Sequence, residues 1–138
     1  MKMRRAAAAI MVCTSLAGCV TAGPDGVATY AIHKKVVSGE KTFIGNFWKL
    51  APDCSSAGVP QIYVLTPPKH GKLVFVNEKR FPAAARGDYK KCRTVKVDMM
   101  VGYYTPNPGY VGEDDLKFRM SAQDGRIGDA AVKIDVLK

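Results

Sequence analysis

From Thr29 to the C-terminus, apolar residues recur mostly at every second position, the period of a half-buried β-strand. Tyr30 and Ile32 alternate with Ala31 and His33. In a second run, Phe43, Gly45 and Phe47 share one face, with Ile44 and Trp48 on the other. Pro60 opens a third run, Gln61 to Leu65, which Pro67-Pro68 ends because proline has no amide hydrogen for a ladder. Lys69-His70-Gly71 turns the chain into Lys72 to Val76. Thr94 to Tyr104 alternates most regularly, setting Val95, Val97, Met99, Val101 and Tyr103 against Lys96, Asp98, Met100, Gly102 and Tyr104. Leu116, Phe118 and Met120 form a further stripe; after the Asp124-Gly125 turn, Val132, Ile134 and Val136 form the last. Outside the leader no stretch keeps a helical period over a dozen residues, although Phe81 to Gly87 is long enough for one turn. About seven short strands with turn residues between them predict an all-β fold, a single antiparallel β-sandwich over residues 29–138.

The N-terminus follows a different rule. Lys2, Arg4 and Arg5 precede an uncharged, mostly apolar run from Ala6 to Leu16, too short to span a bilayer, which needs about 20 residues. A basic segment followed by a short apolar one is the pattern of an export signal. It ends in Leu16-Ala17-Gly18-Cys19, which resembles the bacterial lipobox at all four positions. That resemblance implies a signal peptide over residues 1–18, cleavage before Cys19 and lipid attachment at Cys19. Several acyl chains together anchor stably, since each buried methylene contributes about 0.8 kcal/mol. The competing site, Val20-Thr21-Ala22, would release a soluble protein instead. Val20, rather than Asp, follows the cysteine, so the address expected is the periplasmic face of the outer membrane. Residues 19–28, with Gly23, Pro24, Asp25 and Gly26, read as a tether.

The 138 residues carry 21 Lys+Arg against 12 Asp+Glu, a formal charge of +9 that falls to +6 once Lys2, Arg4 and Arg5 are removed. That length suits one domain. With 47% hydrophobic and 9% aromatic residues, the chain is neither a polytopic membrane protein nor wholly disordered. Of the four cysteines, Cys13 lies in the leader and Cys19 is the proposed lipid site. Cys54 and Cys92 remain as an even pair in an oxidising compartment, which predicts a disulfide. Neither has a second Cys or a His within four residues, as a metal site would need.

Two blocks are similar to a known family. Thr66-Pro67-Pro68-Lys69-His70-Gly71-Lys72-Leu73 resembles the T-x-P-x-H-G-x-L hairpin of bacterial immunoglobulin-like and cadherin-like domains. Tyr104-Thr105-Pro106-Asn107-Pro108-Gly109-Tyr110-Val111-Gly112-Glu113-Asp114 resembles their Y-x-P-x-x-G-Y/F-x-G-x-D turn, with Leu116 where the family usually has an aromatic. The resemblance covers Thr66 to Val136; it implies the fold and is nearly silent on activity, because function lives in sites grafted on folds. Gly109 and Gly112 are expected at positive φ, and Asp114 as a turn residue accepting nearby backbone N–H groups. Glu113-Asp114-Asp115 offers carboxylates to calcium as an alternative, but no D-x-D-x-D-G loop accompanies it.

The charge is local. Lys69, Lys72, Lys79, Arg80, Arg86, Lys90, Lys91, Arg93 and Lys96 stand against only Glu78 and Asp88. One reading is a patch for anionic envelope surfaces, such as phospholipid head groups, lipopolysaccharide phosphates or cell-wall carboxylates; the other is a solvated face. His33 and His70 lie far apart, with no G-x-S-x-G or H-E-x-x-H motif. The expectation is therefore a non-catalytic, lipid-anchored envelope binding or structural module without cofactor or metal. Its partners would be the membrane, through the anchor, and anionic envelope components or another envelope protein, but not nucleic acid. The alternatives are an accessory subunit of an envelope assembly, docking through an unpaired strand edge, and an envelope hydrolase or enzyme inhibitor.

Overall fold

The computed structural model describes residues 20–138; the expected leader and the expected lipid site, Cys19, lie outside the described residues. Eight strands form in chain order: β1 Val20–Ala22, β2 Ala28–Val37, β3 Thr42–Phe47, β4 Gln61–Thr66, β5 Gly71–Arg80, β6 Val97–Pro106, β7 Gly112–Ser121 and β8 Ile127–Leu137. A 3₁₀ segment, Gly87–Thr94, lies between β5 and β6, later than the Phe81 to Gly87 stretch expected to turn. The strands make an all-β sandwich of two sheets, ordered β1-β2-β8-β7-β4 and β3-β6-β5. No described helix is long and apolar enough to cross a membrane.

Three features depart from the expected pattern. β2 pairs with β8 in parallel, Thr29 opposite Asp129 through Val37 opposite Leu137, whereas the other ladders are antiparallel. Both strands start at the same end of the sandwich, which a period of two cannot reveal. The expected tether instead holds β1, which folds back on β2 with Val20 opposite Tyr30, and the Asp25 carboxylate bonds Arg119 on β7. β3 does not keep one alternation: its register shifts between Phe43 and Gly45, so Ile44 and Phe47 both reach the core while Phe43 stays exposed.

The main core fills the space between the sheets with Val36, Ile44, Tyr104, Leu116, Phe118, Val132, Ile134 and Val136. The Phe47 and Phe75 rings meet Phe118 at centroid distances of 5.5 and 5.1 Å. Each such side chain, fully buried, contributes about 1.5–3 kcal/mol. β6 is buried on both faces. Tyr104 points into the main core, while Val97, Met99 and Val101 face out of the sandwich into a second, smaller core with Trp48, Leu50 and Val76. Cys54, in the loop after β3, is bonded to Cys92 in the 3₁₀ segment with Cα atoms 5.1 Å apart, so the two segments are stapled together. Val95, expected in the same stripe as Val97, precedes β6 and is exposed.

Two ends can be distinguished. At one, the turns after β4 and after β6 meet; at the other lie the 3₁₀ segment, the β7–β8 turn and the start of β2. Beyond Tyr30, β2 has an open edge, and Lys34 occupies the inward-side position opposite Ile134, a charge that discourages strand addition there.

Candidate functional site

The two blocks that resemble the immunoglobulin-like family come together at the first end and hold each other. The buried Asp114 carboxylate accepts the Tyr104 hydroxyl at 2.7 Å and the backbone N–H groups of Lys69 at 3.0 Å, His70 at 2.9 Å and Asp115 at 2.9 Å. Two of these donors lie more than forty residues away, so Asp114 ties turn to turn and not only its own. Burial pushes the Asp114 carboxyl upward, but the four hydrogen bonds outweigh that and hold it below the ordinary carboxylate value. Burial and the bond to Asp114 push the Tyr104 hydroxyl well above its ordinary value. The His70 ring stacks on Tyr110 with centroids 4.1 Å apart, and its carbonyl accepts the Asn107 N–H at 2.8 Å. Gly109 and Gly112 have φ of 80° and 139°, as expected. A Cβ on Gly71 would lie 2.6 Å from the Tyr104 ring and from the Thr105 carbonyl oxygen. Gly71→Ala is therefore expected to destabilise by about 1–3 kcal/mol in urea melts; an unchanged midpoint would show that the ring has room to move. This junction is structural. Glu113 and Asp115 are exposed on the opposite face from Asp114, so the three acids do not converge on one point.

On the outer face of the five-stranded sheet, an open depression of about 790 Å³ is lined by alternating charges, among them His33, Asp115, Lys117, Lys133 and Asp135. His33 Nε2 lies 3.1 Å from Asp135. Asp129, only 1% exposed, is bridged by Arg119 at 2.7 Å and Lys117 at 3.2 Å, and Arg119 foremost holds its carboxyl below the ordinary value. Among the described residues no hydroxyl or thiol bonds either histidine, so the arrangement makes a cross-strand ion ladder and places no nucleophile beside a base.

The nine bases of residues 69–96 divide along the molecule. Lys69 and Lys72 sit at the junction end, and along β5 Lys72 lies about 23 Å from Lys79, with Lys69 farther still. Arg80 is occupied: it donates to Glu78 at 2.8 Å and to the Tyr103 hydroxyl at 2.6 Å. Arg93 donates to the Ala85 carbonyl at 2.8 Å and braces the loop. Lys79, Arg86, Lys90, Lys91 and Lys96 are exposed at the 3₁₀ end and have no carboxylate within 4 Å among the described residues. Exposed Phe81, Tyr89 and Val95 stand among them, with the Lys96 ammonium 5.4 Å from the Phe81 ring centroid. Sequence reasoning passed over these three. Their signal was an apolar residue recurring inside a basic run, masked because Val95 also fitted the period of the next strand.

The chain matches no protein-family model, no curated protein and no solved structure.

Proposed function

We propose that this chain is a non-catalytic, lipid-anchored bacterial envelope module of the immunoglobulin-like kind, holding to anionic surfaces through its 3₁₀ end. The observation that carries this reading is the group of five exposed cations, Lys79, Arg86, Lys90, Lys91 and Lys96, without carboxylate partners. Asp88 stands among them but pairs with none of the five, whereas the ladder on the other sheet pairs its acids with bases. Each basic residue near an anionic membrane contributes about 1 kcal/mol, so five suffice for a salt-sensitive contact.

Two experiments test the two halves of the proposal. The protein should incorporate labelled fatty acid, and Cys19→Ser should abolish the label; absence of label from the wild type would move cleavage to Ala22. Replacing Lys79, Arg86, Lys90 and Lys91 by Gln should remove most binding to anionic vesicles, lipopolysaccharide or cell-wall sacculi while leaving the melting temperature unchanged. Wild-type binding should itself weaken steeply with salt, because the Debye length is about 8 Å at physiological ionic strength. No binding to any anionic surface at low salt would reduce the cluster to a solvated face.

A second reading, an accessory subunit of an envelope assembly, is favoured by β4. This edge strand carries no charge, and Tyr63, Val64 and Leu65 are exposed along it. Such an edge can accept a partner's strand. A photo-crosslinker at Val64 that captures one defined envelope protein in intact cells would support it; capture of none would sink it.

A further inference from the structure

We infer that the 3₁₀ end is a membrane-facing surface that seats on the phospholipid bilayer holding the anchor, so that the sandwich stands with its turn junction pointing away. This rests on the proposed anchor and anion binding, and names the bilayer among the anionic surfaces. Two observations carry it, independent of each other.

The first is the composition of the surface. Phe81, Tyr89 and Val95 are 47%, 38% and 44% exposed among the cations, and Ile127 at the neighbouring β7–β8 turn is 51% exposed. Cell-wall carboxylates or soluble phosphates would be met by the cations alone. Aromatic and aliphatic side chains held outward beside cations match a head-group layer, where apolar groups reach the acyl boundary and basic groups stay with the phosphates.

The second is where the chain enters the fold. The hairpin of β1 and β2 turns at this same end, Ala22 opposite Ala28 and Val20 opposite Tyr30. The Asp25–Arg119 ion pair fixes it to the sheet. Val20 is therefore two residues, about 7 Å, from the end of the ladder. β1 runs toward this surface, so the proposed anchor joins the fold a short way back from it, within reach of the same bilayer.

The test mixes the exported full-length protein with vesicles of phosphatidylglycerol and phosphatidylcholine, or of phosphatidylcholine alone, and follows amine labelling of individual lysines by mass spectrometry. On anionic vesicles, Lys79, Lys90 and Lys91 are expected to label several-fold more slowly than Lys35 and Lys133; on phosphatidylcholine the difference should disappear. The combined variant Phe81→Ser, Tyr89→Ser and Val95→Ser, all exposed positions, should keep its melting temperature, lose the protection on vesicles, and still bind sacculi as the wild type does. Equal labelling of all five lysines on anionic vesicles, or protection of Lys35 and Lys133 instead, overturns the orientation. Full protection in the serine variant also overturns it, leaving a purely electrostatic contact. Failure of the underlying reading is separate: the four-fold Gln variant would then bind every anionic surface as well as the wild type.

Discussion

Asp114→Ala is expected to lower the unfolding free energy by about 3–5 kcal/mol, the range for losing one partner of a buried charged network. The substitution leaves the Tyr104 hydroxyl, on a fully buried ring, and the N–H groups of Lys69 and His70 without their acceptor. Tyr104→Phe removes a single bond from the same network and should cost about 1–2 kcal/mol. Urea melts of both variants and of the double variant give the coupling between them. An Asp114→Ala protein as stable as the wild type would show that the two turns hold without the carboxylate. Acid provides a second measurement. The folded carboxyl is held below its ordinary value of about 3.9, so the unfolded chain takes up the proton first as pH falls. The stability this group contributes is complete above the unfolded pKa and is lost as pH drops through the folded one. The gap between wild type and Asp114→Asn should therefore narrow below about pH 4, and a constant gap from neutral to acid pH would contradict the assignment.

Opening the Cys54–Cys92 bond should be nearly as costly. The cysteines are 38 positions apart, and loop closure over that separation corresponds to about 4 kcal/mol, a large share of the 5–15 kcal/mol typical of a domain. The expected consequence is local before it is global. Without the bond, the loop after β3 and the 3₁₀ segment are free to lift, and Trp48 and Leu50 separate from Val97, Met99 and Val101. Reduction should shift Trp48 emission to the red and lower the melting temperature by roughly 15 °C. Two cysteines that alkylate readily in the native protein, or an unchanged melting temperature on reduction, would count against the staple.

Much of this architecture was legible in the chain itself, for identifiable reasons. β7 and β8 were readable because each buries one face in the main core: Leu116 and Phe118, then Val132, Ile134 and Val136. The disulfide was readable because only two cysteines remain once Cys13 and Cys19 are set aside for the proposed leader and lipobox. The positive φ of Gly109 and Gly112 was readable because the turn block is written in residue types with special backbone preferences. The faces of β6 were not readable. A strand covered on both sides carries apolar residues on both, and a period of two does not say which side meets the other sheet. The Phe43–Gly45 irregularity escaped for a related reason: a bulge exchanges the two faces in mid-strand and leaves no mark on composition.

For the candidate surface, the division falls between charge and geometry. The sequence by itself determined that the basicity is concentrated in one region, that one cysteine pair is available for a bond, and that alternating strands dominate from Thr29 onward, because composition and period are local properties. Only the tertiary structure decided which cations share a surface. β5 carries Lys69 and Lys72 to one end and Lys79 to the other, Glu78 and Tyr103 occupy Arg80, and Phe81, Tyr89 and Val95 stay outside the cores. Asp114 likewise became the acceptor of two distant amides because the turns after β4 and β6 close over it. These outcomes depend on strand register and on which edges meet, and both are set by pairing between segments distant in the chain.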